Sequence, residues 1–288
     1  IEDVLRLARG MSLKSACAGL DLGGGKTVIM ADPKKVKGNE LFWRSYGRFI
    51  ESLNGRYITA EDVNTSTEEM EYVAKETSFV AGLRSKSGDP SPMTAYGVYM
   101  AMKASALKAF GSDNLGGKKI SVQGLGHVGL VLCDYLAKDN AELIVSDIDS
   151  DKVKKVVELY KAKEVDINAI YEQDVDIFAP CGLGAIINDE TIPKLKCKVI
   201  AGSANNVLKE SHHGKILKEK GIVYAPDYVA NAGGVINVAM ENPVYNYEAA
   251  KTATEKIYNR ILEIFEISDR ENISTNEAAD KLAIHRIE

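Results

Sequence analysis

Residues 119–146 constrain this chain more than any other segment: KISVQ runs into Gly124-Leu125-Gly126-His127-Val128-Gly129, a helical stretch follows over 127–138, and ELIVS closes the unit at 142–146. A GxGxxG string by itself is weak, but placed between a β-branched strand and a helix it predicts a dinucleotide turn. Gly124 permits the tight turn, Gly126 lets a pyrophosphate approach the backbone, and Gly129 allows close helix–strand packing. The helix N-terminus favours the anion. Leu125, His127 and Val128 fill the remaining positions of the motif, with His127 expected to face solvent from the first helical turn. Asp147, at the end of the second strand, can accept hydrogen bonds from an adenosine ribose and would repel a 2′-phosphate, which favours NAD over NADP. The competing reading is that Asp147 or Asp149 caps the next helix.

The same alternation continues downstream. Strands are predicted at 175–179, 198–202 and 221–225, with helices at 150–161, 188–195, 205–219 and 247–268. Short strands separated by helices imply right-handed crossovers and therefore an α/β fold with a doubly wound parallel sheet. Upstream, TVIM (27–30) reads as a buried strand, and 39–53 and 68–77 read as helices. Gly, Ser, Pro and charge concentrate in GLRSKSGDPSP (82–92), which marks a linker. At roughly 150 residues per domain, the 288 residues suit about two domains. The expected division is a smaller α/β domain at 1–87, a nucleotide-binding domain at 88–240 and C-terminal helices at 241–288.

Composition excludes several classes. With 36 Lys+Arg against 41 Asp+Glu, a net of −5 and basic residues scattered along the chain, no nucleic-acid partner is expected. No apolar run approaches the roughly 18 residues of a membrane span. Cys17, Cys133, Cys181 and Cys197 lack CxxC spacing and read as buried thiols of a reducing compartment, so the protein is expected to be cytoplasmic. His127, His212, His213 and His285 show no helical i, i+4 pair or zinc-type cluster, so no metal site is expected.

Gly23-Gly24-Gly25-Lys26-Thr27 invites a P-loop reading, but GxxxxGK[ST] needs glycine where Leu20 stands, and a strand rather than a helix is predicted to follow. Three glycines leave room for a substrate to approach. An ammonium held in a partly desolvated pocket loses its proton more readily, which makes Lys26 a candidate general base. Lys14 is the natural cation for a substrate carboxylate, although a solvated surface lysine is the plainer reading. Asp62, in TAEDVNTS, is a possible proton relay, or a turn former.

Seven ordered segments, LDLGGGKTVIMADP (20–33), ITAEDV (58–63), GDPSPMTAYGV (88–98), GLGHVG (124–129), APCGLGAIINDETIP (179–193), AGSANN (201–206) and YAPDYVANAGGVINVA (224–239), together resemble the glutamate/leucine/phenylalanine/valine dehydrogenase family over nearly the whole chain. The resemblance implies NAD-dependent oxidative deamination of an amino acid in a cleft between a substrate domain and a Rossmann-type domain. It places Lys26 on the catalytic lysine, Lys14 on the lysine that holds the α-carboxylate, and Asp62 on the proton-transferring aspartate. Thr94 and Asn205 match positions near the nicotinamide, and Asn231 a position beside the substrate amino group. Met11, Ala60, Val235 and Val238 match the side-chain pocket. All four are apolar, which suits a branched-chain substrate such as leucine, while phenylalanine or valine remains an alternative. A substrate γ-carboxylate would be left unpaired where glutamate-specific members carry serine at the position of Val238.

Asn64 departs from the family's usual glycine, a substitution softened because asparagine tolerates the left-handed conformation. Family members also carry a glycine-rich segment before position 1 and a tail beyond 288. The helix at Ile1 has no N-terminal cap, and the helix opened by the Ser274/Glu277 capping box reaches residue 288 without a stop. The chain therefore reads as a segment of a longer, homo-oligomeric enzyme, expected as written to bind NAD with little or no dehydrogenase activity, or to be a non-catalytic NAD-binding protein.

Overall fold

A computed structural model describes residues 1–62, 64–241 and 244–288. The chain opens with α1 (Glu2–Cys17), α2 (Pro33–Val36), α3 (Glu40–Ser52) and α4 (Thr67–Ala74), then the long α5 (Ser91–Phe110). The alternating unit follows as β1 (Lys119–Gln123), α6 (His127–Lys138), β2 (Glu142–Ser146), α7 (Ser150–Tyr160), β3 (Lys163–Glu164), β4 (Ile177–Pro180), β5 (Val199–Ile200), α8 (His213–Glu219) and β6 (Val223–Tyr224). Four helices close the chain: α9 (Asp227–Ala230), α10 (Gly233–Ala239), α11 (Tyr247–Glu271) and α12 (Thr275–Ile287).

All six strands pair in parallel in the order β3-β2-β1-β4-β5-β6. The order reverses between β1 and β4, the switch point at which open α/β sheets bind ligands outside the carboxyl ends of their strands. Both faces are covered. One core joins Ile120, Val122, Val145 and Ile177 to α5, α6 and α11, and a second gathers Phe178, Ile200, Ile187 and Leu217. A third, smaller core holds Trp43, Met70, Val73, Val80 and Leu83. Helix α1 belongs to the first of these through Leu13, Ala16 and Cys17 and packs along α12.

The expected capping box is present, and a glycine ends the long helix α5. Ser274 and Glu277 form the capping box of α12, and Gly111 ends α5 in the left-handed region at φ 76°. Residues 27–30 differ from expectation. They belong to no strand, and Met30 is 99% exposed. No strand lies beside them among the described residues, so their backbone groups have no ladder to join. The predicted helices at 188–195 and 205–219 shrink to a single turn at Ile192–Lys194 and to α8.

The expected linker, 82–92, is tied through Gly82 and Ser87 to Glu241, 159 and 154 residues further along the chain. Glu241 is buried, and its Oε1 accepts the Gly82 N–H at 2.9 Å and the Ser87 N–H at 3.2 Å, together with the Ser87 hydroxyl. No helix among the described residues is long and apolar enough to cross a membrane.

Candidate active site

The glycine turn behaves as its spacing predicts. Gly124 has φ 95°, and a Cβ there would lie 2.7 Å from the backbone of Gly182 at the end of β4. A Cβ on Gly129 would meet the Gly124 carbonyl at 2.1 Å, so helix and strand approach as closely as backbones can. Gly126 is different, with nothing within 4 Å of its Cβ position. It begins α6 without a side-chain cap, which leaves first-turn amides to face the switch point. Leu125 is fully buried, Val128 half-buried and His127 exposed.

Asp147 sits at the end of β2 and accepts the Leu125 N–H at 2.5 Å and the Asp149 N–H at 2.8 Å. Asp149 is the cap of α7, accepting from Asp151 N–H at 3.1 Å. Of the two acidic residues that sequence offers for the helix cap, Asp149 is the one that fills it.

The lysine-bearing loop is held by contacts rather than left open. A Cβ on Gly24 would fall 2.3 Å from the Ala8 carbonyl and the Ser12 amide of α1, and one on Gly25 would fall 2.4 Å from the Tyr57 ring. These glycines are used for packing, where sequence suggests substrate access. The loop delivers Lys26 into a direct ion pair with Asp62. Asp62 is fixed in turn by a tight turn: its N–H donates to Thr65 Oγ1 at 2.8 Å, that hydroxyl donates to the Asp62 carbonyl at 2.8 Å, and Asn64 takes φ 64°. The left-handed conformation expected of Asn64 is the one it adopts.

Lys14, in the last turn of α1, donates to Asn205 Oδ1 at 3.5 Å. Asn231 donates to the same oxygen at 2.8 Å and to the Ser203 carbonyl at 3.0 Å. Its own Oδ1 is buried with no hydrogen-bond partner among the described residues. Burial lowers the Lys14 ammonium to about 8, opposed by Asp227, with Lys26 lowering it and Asp62 raising it further. Lys14, Lys26, Asp62 and Asp227 thus share one electrostatic neighbourhood.

Asp227 is a residue that sequence does not single out. At the start of α9 it looks like an ordinary first-turn carboxylate, yet its oxygens accept from Val207 N–H at 2.8 Å and Tyr228 N–H at 2.6 Å, and burial raises its pKa. The remaining expected residues are distributed around these. Thr94 lies in the first turn of α5, donates to the Pro90 carbonyl at 3.0 Å, and stands where a Cβ on Gly234 would come within 2.5 Å of its hydroxyl. Met11 is half-buried on α1, Val235 and Val238 are half-buried on α10, and Ala60 is exposed two residues before Asp62.

Comparison with known proteins matches this arrangement. The family profile described as Glu/Leu/Phe/Val dehydrogenase, dimerisation domain, covers residues 1–79, and that described as Glutamate/Leucine/Phenylalanine/Valine dehydrogenase covers residues 145–285. A leucine dehydrogenase of Thermoactinomyces intermedius is 58% identical over 291 aligned residues, spanning 100% of this chain and 79% of its own length. A phenylalanine dehydrogenase of Lysinibacillus sphaericus is 46% identical, with 100% of this chain and 77% of its own length aligned. The crystal structure of L-tryptophan dehydrogenase from Nostoc punctiforme superposes with a TM-score of 0.87 at 44% identity, covering 99% of this chain and 82% of that one.

A parallel sheet with a glycine turn at its switch point, beside a cluster of lysines and carboxylates, is the framework of an amino-acid dehydrogenase. With these profiles and identities, the chain belongs to the glutamate/leucine/phenylalanine/valine dehydrogenase family.

Proposed function

We propose that the protein catalyses the NAD-dependent, reversible oxidative deamination of a branched-chain L-amino acid, leucine foremost, to its 2-oxo acid and ammonia. The observation that carries this reading is the Lys26–Asp62 ion pair in the electrostatic neighbourhood of Lys14. The strong likeness to leucine dehydrogenase supports the substrate class.

The glycine turn suits a dinucleotide: Gly126 is open, the first amides of α6 have no capping side chain, and Asp147 stands at the end of β2. Leu125, His127, Val128 and Gly129 complete the cradle, with Thr94 and Asn205 toward the nicotinamide. A bound nicotinamide supplies an acceptor for the hydrogen that leaves the substrate α-carbon with its electron pair. Lys14 holds the α-carboxylate as a point charge. The buried Asn231 Oδ1 is an acceptor for the α-amino group. Lys26 takes a proton from the attacking water and Asp62 relays protons, each by a side chain held in register. Met11, Ala60, Val235 and Val238 offer only apolar surface, so a branched aliphatic side chain can be buried there without an unmet polar group.

In the same reading, residues 1–87 form the substrate domain, 88–240 the nucleotide domain and 241–288 the closing helices. The separate core around Trp43 and Met70 supports the first division for residues 29–83, whereas α1 packs into the core of the sheet. A homo-oligomer built through the first segment is supported by the dimerisation-domain profile there and by exposed Leu41 and Phe49. Four free cysteines, three of them buried, suit the reducing cytoplasm.

The likeness to phenylalanine and L-tryptophan dehydrogenases favours an aromatic substrate as the second reading. NADH formation measured with leucine, valine, isoleucine, phenylalanine and tryptophan decides between them. The highest kcat/KM should fall on leucine; a preference for an aromatic substrate establishes the second reading, and no NADH from any of the five overturns both.

A further inference from the structure

We propose that Asp189, His212 and His213 form a binding site for a divalent transition metal of the zinc class, remote in sequence from the lysine cluster. Each residue offers one ligand atom, and the three atoms lie within 4.8 Å of one another. The helical spacing that sequence rules look for is absent because the ligands come from two different loops. Asp189 lies between β4 and β5. His212 and His213 sit at the start of α8, ending the connection from β5 that also carries Asn205.

His213 is the observation that points to a ligand. Its side chain is 1% exposed, and its Nε2 is buried with no hydrogen-bond partner among the described residues. That nitrogen faces Asp189 Oδ1 at 3.4 Å. A tetrahedral ion bound at about 2.0–2.2 Å sets neighbouring ligand atoms roughly 3.3–3.5 Å apart, so this separation is already that of two ligands on one ion. The other ring nitrogen is prepared as well. Nδ1 lies 3.0 Å from the Glu210 N–H and 3.1 Å from the Glu210 carbonyl, so the ring can carry its proton on either side. With Nδ1 accepting the Glu210 N–H the proton sits on Nε2; ion binding selects the other tautomer, in which Nδ1–H donates to the carbonyl and Nε2 presents its lone pair.

The site is also assembled and accessible. An isolated parallel bridge between Ile187 and Leu208, reinforced by Lys209 N–H donating to the Ile187 carbonyl at 3.0 Å, brings the two loops together. The imidazoles of His212 and His213 lie 4.2 Å apart between centroids. Asp189 and His212 are exposed, which leaves an entry path and room for a water as a further ligand. Two imidazoles and a single carboxylate suit zinc, cobalt or nickel and do not suit calcium or magnesium, which take oxygen ligands. A bound ion would staple the two loops that border the open end of the sheet.

The test is zinc chloride titrated into the chelator-stripped protein by isothermal calorimetry, with cobalt(II) as an optical probe of tetrahedral geometry. His212→Gln and Asp189→Asn change exposed side chains and leave the buried His213 in place. The expected result is one ion per chain, a rise in the thermal unfolding midpoint on adding zinc, and binding weakened at least about tenfold in each variant. The absence of stoichiometric binding, or equal affinity in the wild type and the double variant, overturns the site.

Discussion

Lys26 and Asp62 form a direct ion pair across 36 residues of chain, each delivered by a loop that is braced separately. Replacing Lys26 with Ala should lower kcat by about 10²–10⁴, the usual contribution of a positioned acid–base group, while NADH affinity stays within twofold or so. Asp62→Asn should act in the same direction and less severely. Steady-state rates with leucine and fluorescence titration of NADH separate the two effects, and unchanged turnover in the Lys26 variant would remove it from the chemistry.

If Lys14 holds the substrate carboxylate as proposed, it should give the reaction an alkaline limit. Burial brings its ammonium down to about 8, so below that pH it is charged and can hold a carboxylate, and above it the charge is lost. The amino-acid kcat/KM should therefore fall as pH rises through about 8. Asp227 opposes the lowering, so Asp227→Asn should move this limb to lower pH, and Lys14→Arg should move it upward. A profile whose alkaline limb ignores both substitutions would separate Lys14 from substrate binding.

Asp147 joins the glycine turn to the end of β2. Asp147→Ala should weaken NADH about tenfold, the scale of one hydrogen bond to a charged group. NADPH should be affected less because a repulsion is removed along with the bond, so the ratio of the two dissociation constants narrows.

Gly24 and Gly23 form a matched pair of tests. A methyl at Gly24 would strike backbone atoms of α1 at 2.3 Å, whereas a methyl at Gly23 meets nothing within 4 Å. Gly24→Ala should cost about 1–3 kcal/mol and reduce turnover by displacing Lys26, with Gly23→Ala near neutral in thermal melts. Equal melting temperatures would show that the loop does not rest on α1.

Legibility in the sequence followed the range of the forces involved. Strands 119–123 and 142–146 were readable because β-branched runs and the glycine turn are local, and both strands appear at those limits. Strand β3 escaped because Lys163 and Glu164 are two exposed residues at the sheet edge with no periodicity to show. The helix expected at 188–195 shortened because Asn188 turns its side chain onto the Glu190 and Thr191 amides, competing with helical bonding. In the site, Lys26 and Asp62 are candidates from their own surroundings, whereas the role of Lys14 and the choice of Asn205 and Asn231 rest on the resemblance; the fold pairs Lys26 with Asp62 and joins Lys14 and Asn231 through Asn205. Asp227 was invisible because its significance is burial, supplied by segments distant in sequence.

Lys14 and Asn205 are separated by 191 residues. During synthesis the early segment leaves the ribosome long before its partners exist, and domains fold largely in the order in which they emerge. Lys14 must then wait without its partner until Asn205 has been made. A nascent chain stopped short of residue 205 can hold the Lys26–Asp62 pair but lacks the Asn205 partner of Lys14. Lys14 thus gains its Asn205 partner late in translation, after residues 124–129 have been made.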